Sequence, residues 1–584
     1  MTQDYTTIES ILAIECGSTI TQVLLIDRVE GEYRFVARAE APSTLTPPWN
    51  DVTVAVRQAI EQLADVTGWR FLDPQGRIIQ PEYQEAGVDA VVALTSAGEP
   101  LHLVLSGIIH DVSLVSAHRA LSGTYAVVEG VISLDRREGH ISNSDIEGQL
   151  RLIQEIRPDA VVLVGGIDGG ARGPVLQSAE AVALACSVLP EKSRPTILYA
   201  GNADLRTEIA QIIGADAELR AVDNVRPSME IENPGPLQAE VEELYLRHKM
   251  ERLPGFGTLA DWSRVQVLPT AKAFAYAIRY LAELDGINVL GVDVGGTSVT
   301  VASMVDGGFD LAIRSDLGLS YNIAHLLDHV PVESVLRWLP FEIEPVEVQN
   351  LVHNKALRPH TLPQTRQDLL IEQALAREIV RLTLADVAPR WPAGLYPGLP
   401  PRFHLIVGRG GVLGHVPNYG QAALMLLDAV QPVGVSGLAL DRAGLLAPAG
   451  AVATVNPVAA AQLVARDALL NLGTVVAPLG TAREGEVALT FKIKYEDGRS
   501  LEVEVPFGSL EVIPLPARQV ATLELRPTRR FDVGLGRKGL AGTTEVEGGI
   551  IGIMIDARGR PLPLAEDLAE QREKMQRWLW DMGT

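Results

Sequence analysis

Cysteine is almost missing: Cys16 and Cys186 are the two in a chain of 584 residues. Two thiols cannot build a disulfide framework or a cysteine-based zinc site, and such usage fits a reducing, cytoplasmic interior. Positive charge is also short, with Lys+Arg 50 against Asp+Glu 73 and a formal net charge of -23. A chain of that sign is repelled by DNA, RNA and anionic membrane surfaces, which makes them poor expected partners. No apolar run approaches the ~20 uninterrupted residues of a membrane span. The most apolar region, residues 422–459, is broken by Asp428, Asp441, Arg442 and several glycines and prolines. The opening MTQDYTTIES is polar and acidic, unlike a signal peptide. Also missing are the G-x-x-x-x-G-K-[ST] loop, H-E-x-x-H, G-x-S-x-G and any histidine cluster. A metal, if one is used, is therefore expected to be oxygen-bound magnesium arriving with a nucleotide.

What is present is a repeated pattern. Residues 290–303, LGVDVGGTSVTVAS, run from an apolar strand to Asp293, turn on Gly295, Gly296, Thr297 and Ser298, and leave as a second β-branched strand. Glycine supplies the conformations a tight hairpin needs, and turns without bulky side chains expose backbone N–H groups that bind phosphate. Residues 11–27, ILAIECGSTITQVLLID, repeat the order: apolar strand, Glu15, then Gly17, Ser18 and Thr19, then another strand. Two such hairpins far apart in one chain are expected when two related lobes grip one nucleotide's phosphates from opposite sides. A third glycine cluster, LIVGRGGVL at residues 405–413, places Gly408, Gly410 and Gly411 after a strand, where bare backbone suits a purine or ribose. Cys16 should point away from Glu15 on its strand and read as a small buried hydrophobe.

Between the two hairpins the pattern alternates strand and helix from residue 101 to residue 223, as in a parallel, doubly wound sheet. There VVLVGGIDGG, residues 161–170, ends a strand in Gly165, Gly166 and Asp168. Two readings stay open: a nucleotide contact at the carboxyl end of a parallel strand, or a tight turn capped by Asp168. From about Gly473 short strands divided by Asp497-Gly498, prolines and glycines predict a small all-β module, followed by an amphipathic helix over residues 564–582. Within that module Gly534, Gly536 and Gly539 spell a dinucleotide fingerprint, but no helix follows, so the match is rejected.

The strings VGGIDGG, ILYAGNA, DNVRP, LPTAKA, GVDVGGTSVTVAS, NKALRPHTLP, IEQALARE and VGRGGVL, in that order across most of residues 8–465, resemble the MutL/GlmL family of glutamate mutase accessory proteins. The family is unrelated to the mismatch-repair protein of the same name. The resemblance implies an α/β, two-lobed actin-like ATPase (ribonuclease H-like) fold of the actin, Hsp70 and sugar-kinase superfamily. An inserted doubly wound α/β region and a C-terminal all-β module complete it. It implies lobe I over 1–285, lobe II over 286–470 and the β-module with its terminal helix over 471–584. It further implies Mg-ATP in the cleft. Gly17, Ser18 and Thr19 would hold phosphates from one side, and Gly295, Gly296, Thr297 and Ser298 from the other. Glu15 and Asp293 would hold magnesium through water, Asp293 would orient the attacking water, and Gly408, Gly410 and Gly411 would flank the adenosine.

The implied activity is a slow ATPase acting as a reactivating chaperone for a cobalamin-dependent mutase, with homo-oligomerisation left open. Two departures bear on it. Glu15 and Gln22 stand where the superfamily usually has aspartate and often lysine, and Thr300 and Ala302 stand where this family tends to have Asp and His. Loss of those groups touches hydrolysis more than binding. A non-hydrolysing assembly or scaffold protein is therefore the alternative. A small-molecule kinase using Asp168 as its substrate-side carboxylate is the second.

Overall fold

The computed structural model describes residues 8–84, 86–134, 146–392, 394 and 398–584. The polar amino-terminal stretch before Ile8 and residues 135–145 of the alternating region lie outside the described residues. The chain divides into two compact units, one of Gly98–Leu253 with Ile313–Asp316, the other of all the rest.

In the larger unit β1 (Ile11–Cys16), β2 (Ile20–Val29) and β3 (Glu32–Pro42) form an antiparallel meander, and β4 (Ala90–Thr95) lies parallel to β1. ILAIEC and AVVALT are near-continuous apolar runs because both strands are covered on both faces. The smaller unit carries β5 (Leu101–Gly107), β6 (Ala126–Ser133), β7 (Ala160–Leu163), β8 (Thr196–Tyr199) and β9 (Leu219–Ala221). These are all parallel in the order β6-β5-β7-β8-β9, a doubly wound sheet whose order reverses between β5 and β7.

The chain then adds β10 (Leu268–Pro269), parallel to β4, completing the first sheet as β10-β4-β1-β2-β3. A second sheet follows from β11 (Val289–Val294), β12 (Val299–Val305), β13 (Gly308–Arg314), β14 (Leu405–Arg409) and β15 (Gly434–Leu440), in the order β13-β12-β11-β14-β15. Its β11 pairs antiparallel with β12 and parallel with β14, which is parallel to β15. Each sheet thus lists its strands as third, second, first, fourth, fifth. The duplication seen in the two hairpins extends to whole lobes, the actin-like arrangement that the resemblance implies.

One core joins the lobes. The helix Thr270–Asp285 buries Ala271, Phe274, Ala275, Ile278, Leu281 and Ala282, at helical spacing, and Gly286 ends it in the left-handed conformation. It packs on the helix Leu446–Val452, and the shared cluster includes Ile11, Ala13 and Leu24 from one sheet and Val289, Ala302 and Val407 from the other. Gly450 is required at that crossing, since a Cβ there would lie 2.0 Å from the Ala273 carbonyl oxygen.

The second sheet does not stop at residue 470. β16 (Leu470–Ala477) pairs antiparallel with β15, and β22 (Gly552–Asp556) and β19 (Leu510–Ile513) extend it further. A separate antiparallel sheet forms from β17 (Val487–Tyr495), β18 (Ser500–Pro506), β20 (Val520–Pro527) and β21 (Gly542–Glu547). The last helix, Leu568–Asp581, is seated by charge as well as by apolar contact. Buried Arg558 pairs with Asp556 and Asp428 at 2.8 Å and stacks 4.6 Å from the Trp578 ring centre, while Arg377 takes the other oxygen of Asp428. No helix among the described residues is long and apolar enough to cross a membrane.

Candidate functional site

Both hairpin turns are built the same way. The Gly17 amide donates to the Ile20 carbonyl at 3.0 Å, and the Gly295 amide donates to the Ser298 carbonyl at 3.0 Å. A Cβ on either glycine would fall within 2.9 Å of that same carbonyl oxygen, so no other residue fits. The amides of Ser18, Thr19, Gly296 and Thr297 then have no acceptor among the described residues. Such unpaired N–H groups, arranged along a turn, make an anion-binding concavity.

The turns face each other. A Cβ on Gly296 would stand 3.0 Å from Thr19 Cγ2 and 3.3 Å from Ser18 Oγ. Each is braced from behind. Ser43 N donates to Thr19 O, Leu319 N to Gly295 O, Ser320 N to Gly296 O, and Asn322 Nδ2 to Thr297 O, at 2.8 to 3.0 Å. The unpaired amides are therefore held in place before any ligand arrives.

Glu15 and Asp293 occupy the same position in their hairpins, two residues before the turn glycine, and they meet at Arg409, a residue that neither hairpin contains. Arg409, the last residue of β14, lies opposite Asp293 in the parallel pairing. Its Nη1 bonds Asp293 Oδ2, and its Nη2 reaches Glu15 Oε1 and Oε2, each at 2.6 Å. Its Nε lies 3.4 Å from Asp441, whose two oxygens also accept the Leu445 and Leu446 amides at 2.7 and 2.9 Å. The two lobes are thus linked through one buried guanidinium among three carboxylates.

Burial opposes the charge on Arg409, but Asp293, Glu15 and Asp441 outweigh it and hold the guanidinium firmly protonated. For Glu15 and Asp441 burial wins over the attraction of Arg409 and raises both carboxyls above their ordinary values. Three acids share one base, so the surplus negative charge favours proton uptake. Gln22 donates to the Gly444 carbonyl at 3.0 Å. Cys16 is buried and its thiol is pushed up to about 12 by loss of solvent and by Glu15.

The glycines of the third cluster differ among themselves. Gly408 faces Leu426, Leu440 and Leu413 at 3.0 to 3.1 Å, so protein fills the space beside it. Gly410 is held at φ +106, where a Cβ would lie 2.1 Å from the Val294 carbonyl oxygen, and brings its loop against the end of β11. Gly411 alone of the three has room beside it, a Cβ there meeting only His415 Nδ1, at 3.9 Å. A cavity of about 340 Å³, lined by Arg38, Arg442, Ala443 and residues 467–470, includes none of these groups.

Gly165, Gly166 and Asp168 lie in the other compact unit. Gly165 and Gly166 make close approaches to Ile108 and to the Ala171 carbonyl, and Asp168 Oδ1 accepts from Ala203 N and Asn224 Nδ2, both at 2.9 Å. Asp168 there braces three loops against one another. Arg409 and Asp441 were legible as charged residues ending apolar strands; nothing in the spacing said that they converge.

The carboxylate set does not suit a divalent ion. Both oxygens of Glu15 and Oδ2 of Asp293 accept from Arg409, and both oxygens of Asp441 accept from backbone amides, so any ion here would share its carboxylates with a guanidinium. Magnesium keeps near-ideal octahedral geometry and a shell of oxygens, not a guanidinium in its midst. The turns, in contrast, present backbone amides with no acceptor among the described residues, the kind of donor that phosphate oxygens accept from.

The family profile described as MutL protein matches residues 11–468. No curated protein sequence matches the chain. Among solved structures, the chain is similar to an ATP-dependent caprolactamase from Pseudomonas jessenii (14% identity, TM-score 0.31, 85% of this chain and 81% of that one). It is also similar to component A of (R)-2-hydroxyglutaryl-CoA dehydratase from Acidaminococcus fermentans (8% identity, TM-score 0.26, 78% and 100%). A third is xylulose kinase from Bifidobacterium adolescentis (11% identity, TM-score 0.26, 80% and 96%). Likeness of this degree carries no argument about what the chain binds.

Proposed function

The chain belongs to the MutL protein family, and from that premise we propose that it binds ATP between its two glycine turns and uses the bound state to act on a partner protein. The observation that carries this is the pair of facing turns, with the amides of Ser18, Thr19, Gly296 and Thr297 unpaired and braced from behind. Phosphate oxygens would accept from these amides on both sides, so the ligand would tie lobe to lobe. A nucleotide that contacts two lobes at once biases their relative positions, which a partner can sense. The partner in this proposal is a cobalamin-dependent mutase of the glutamate mutase kind, with this chain as its accessory or reactivating protein. The test is calorimetric titration with ATP, followed by pull-down from native lysate with and without ATP. Loss of ATP binding in Gly296→Val supports the site; unchanged affinity refutes it. A pull-down lacking any cobalamin enzyme removes the mutase role alone.

One observation favours binding without turnover. Asp293, the acid expected to orient an attacking water, is bonded to Arg409, and Thr300 across the hairpin is no base. A nucleotide-dependent assembly protein with negligible hydrolysis is the second reading. ATP-dependent sedimentation without phosphate release would select it over a slow ATPase.

A further inference from the structure

Nucleotide sites of this shape ordinarily need a cation to offset the carboxylates that flank the phosphates. Here a cation is already built into the chain. We propose that the Arg409 guanidinium is the permanent counter-ion of the Glu15, Asp293 and Asp441 cluster, standing where a divalent metal would otherwise sit, so that the site engages phosphate without one. The proposal rests on the nucleotide reading for its ligand, and on geometry alone for its cation.

Three observations support it. The first is position: Asp293 and Arg409 are register partners on adjacent parallel strands, so the sheet itself delivers the guanidinium to the acid. The second is how fully the carboxylates are occupied. Arg409 bonds Glu15 through both of its oxygens and Asp293 through Oδ2, and its Nε faces Asp441. A planar fork with five donors suits several carboxylates at once, and arginine does not give up its proton. The third is exclusion. An entering divalent ion would have to displace a buried guanidinium whose side chain is 9% exposed, or share its carboxylates with it at close range against like-charge repulsion. With no metal, the surplus negative charge is met by protons, in keeping with the upward displacement of Glu15 and Asp441.

The device also spans the lobes. Glu15 ends the first strand of one sheet, and Arg409 and Asp293 end strands of the other. The same ion contact that replaces a metal therefore holds the two phosphate turns at a set distance. A metal supplied with each nucleotide would leave that distance free in the empty protein.

Two measurements on the full chain decide the matter. In the first, ATP is titrated calorimetrically in magnesium buffer and again in excess EDTA. The expected result is dissociation constants agreeing within about threefold, and a larger weakening in EDTA overturns the proposal. In the second, manganese alone is titrated into the wild type and into Asp293→Asn, with free ion read by electron paramagnetic resonance. Equal uptake by both proteins is expected; an ion bound by the wild type and absent from the variant overturns the proposal. Should ATP give no binding heat in either buffer, the nucleotide reading falls, and the manganese titration still decides whether Arg409 excludes a metal.

Discussion

Removing the two ends of the Glu15–Arg409 contact should have unequal effects. In Arg409→Ala, buried Asp293 and Asp441 and mostly buried Glu15 lose their common counter-charge. Deleting one member of a buried ion pair costs about 3–5 kcal/mol, most of it the penalty of the stranded charge. The lower end, about 3 kcal/mol, is expected, because Glu15 and Asp441 are already displaced toward protonation and can neutralise themselves. The sign with pH follows. Carboxyls whose folded pKa is raised bind more protons folded than unfolded, so stability falls as pH rises through the raised value, and the deficit of Arg409→Ala should grow as pH rises above the ordinary carboxylate range.

Glu15→Gln, by contrast, keeps an oxygen for Arg409 and removes one surplus negative charge, so its effect should stay within about 1 kcal/mol. The assay is urea unfolding of both variants and the double mutant, followed by a probe in the larger unit so that its transition is read separately. Equal destabilisation by the two substitutions, or a deficit in Arg409→Ala that shrinks as pH rises, would refute the account of one base serving three acids.

Gly296→Val places branched carbons against Thr19 and Ser18, where even a Cβ has 3.0 Å, so it should overpack the facing turns by about 1–3 kcal/mol and abolish the calorimetric ATP signal. The Asp556 carboxyl is buried, yet Arg558 and Arg560 hold it well below its usual range. Its contribution is present above the unfolded value near about pH 4 and is lost as pH falls toward the depressed folded value. Acid unfolding of Asp556→Asn, monitored by Trp fluorescence, should accordingly be flatter below about pH 4 than that of the wild type. Cys16, with its thiol near 12, should resist a thiol reagent at neutral pH in the folded chain and react on denaturation. Fast native labelling at Cys16 would contradict its burial.

Periodicity and glycine placement were enough to determine the two hairpins, the alternating strands and helices of the inserted unit, and the amphipathic terminal helix, because each is a local pattern. The helical spacing of Leu370, Ala374, Arg377, Val380 and Leu384 was legible for the same reason, with Thr365 or Asp368 as its cap; the structure makes Thr365 the cap of the helix Arg366–Val387 and Asp368 its partner in a capping box. β13 and the helix Pro345–Leu357 went unassigned, and β16 was read as part of a separate module although it continues the second sheet. Strand pairing is decided by partners elsewhere in the chain, and no local period reports it. The same limit applies to the site. That Glu15 and Asp293 are acids before glycine turns is written in residues 11–27 and 290–303; that both end on Arg409, 394 and 116 residues away, is not. Sequence spacing carries what one element needs of its own residues, whereas a charge cluster shared by four strand ends exists only once two sheets have packed around a common helix pair. The tertiary structure alone chose arginine as the cation at the centre of the site.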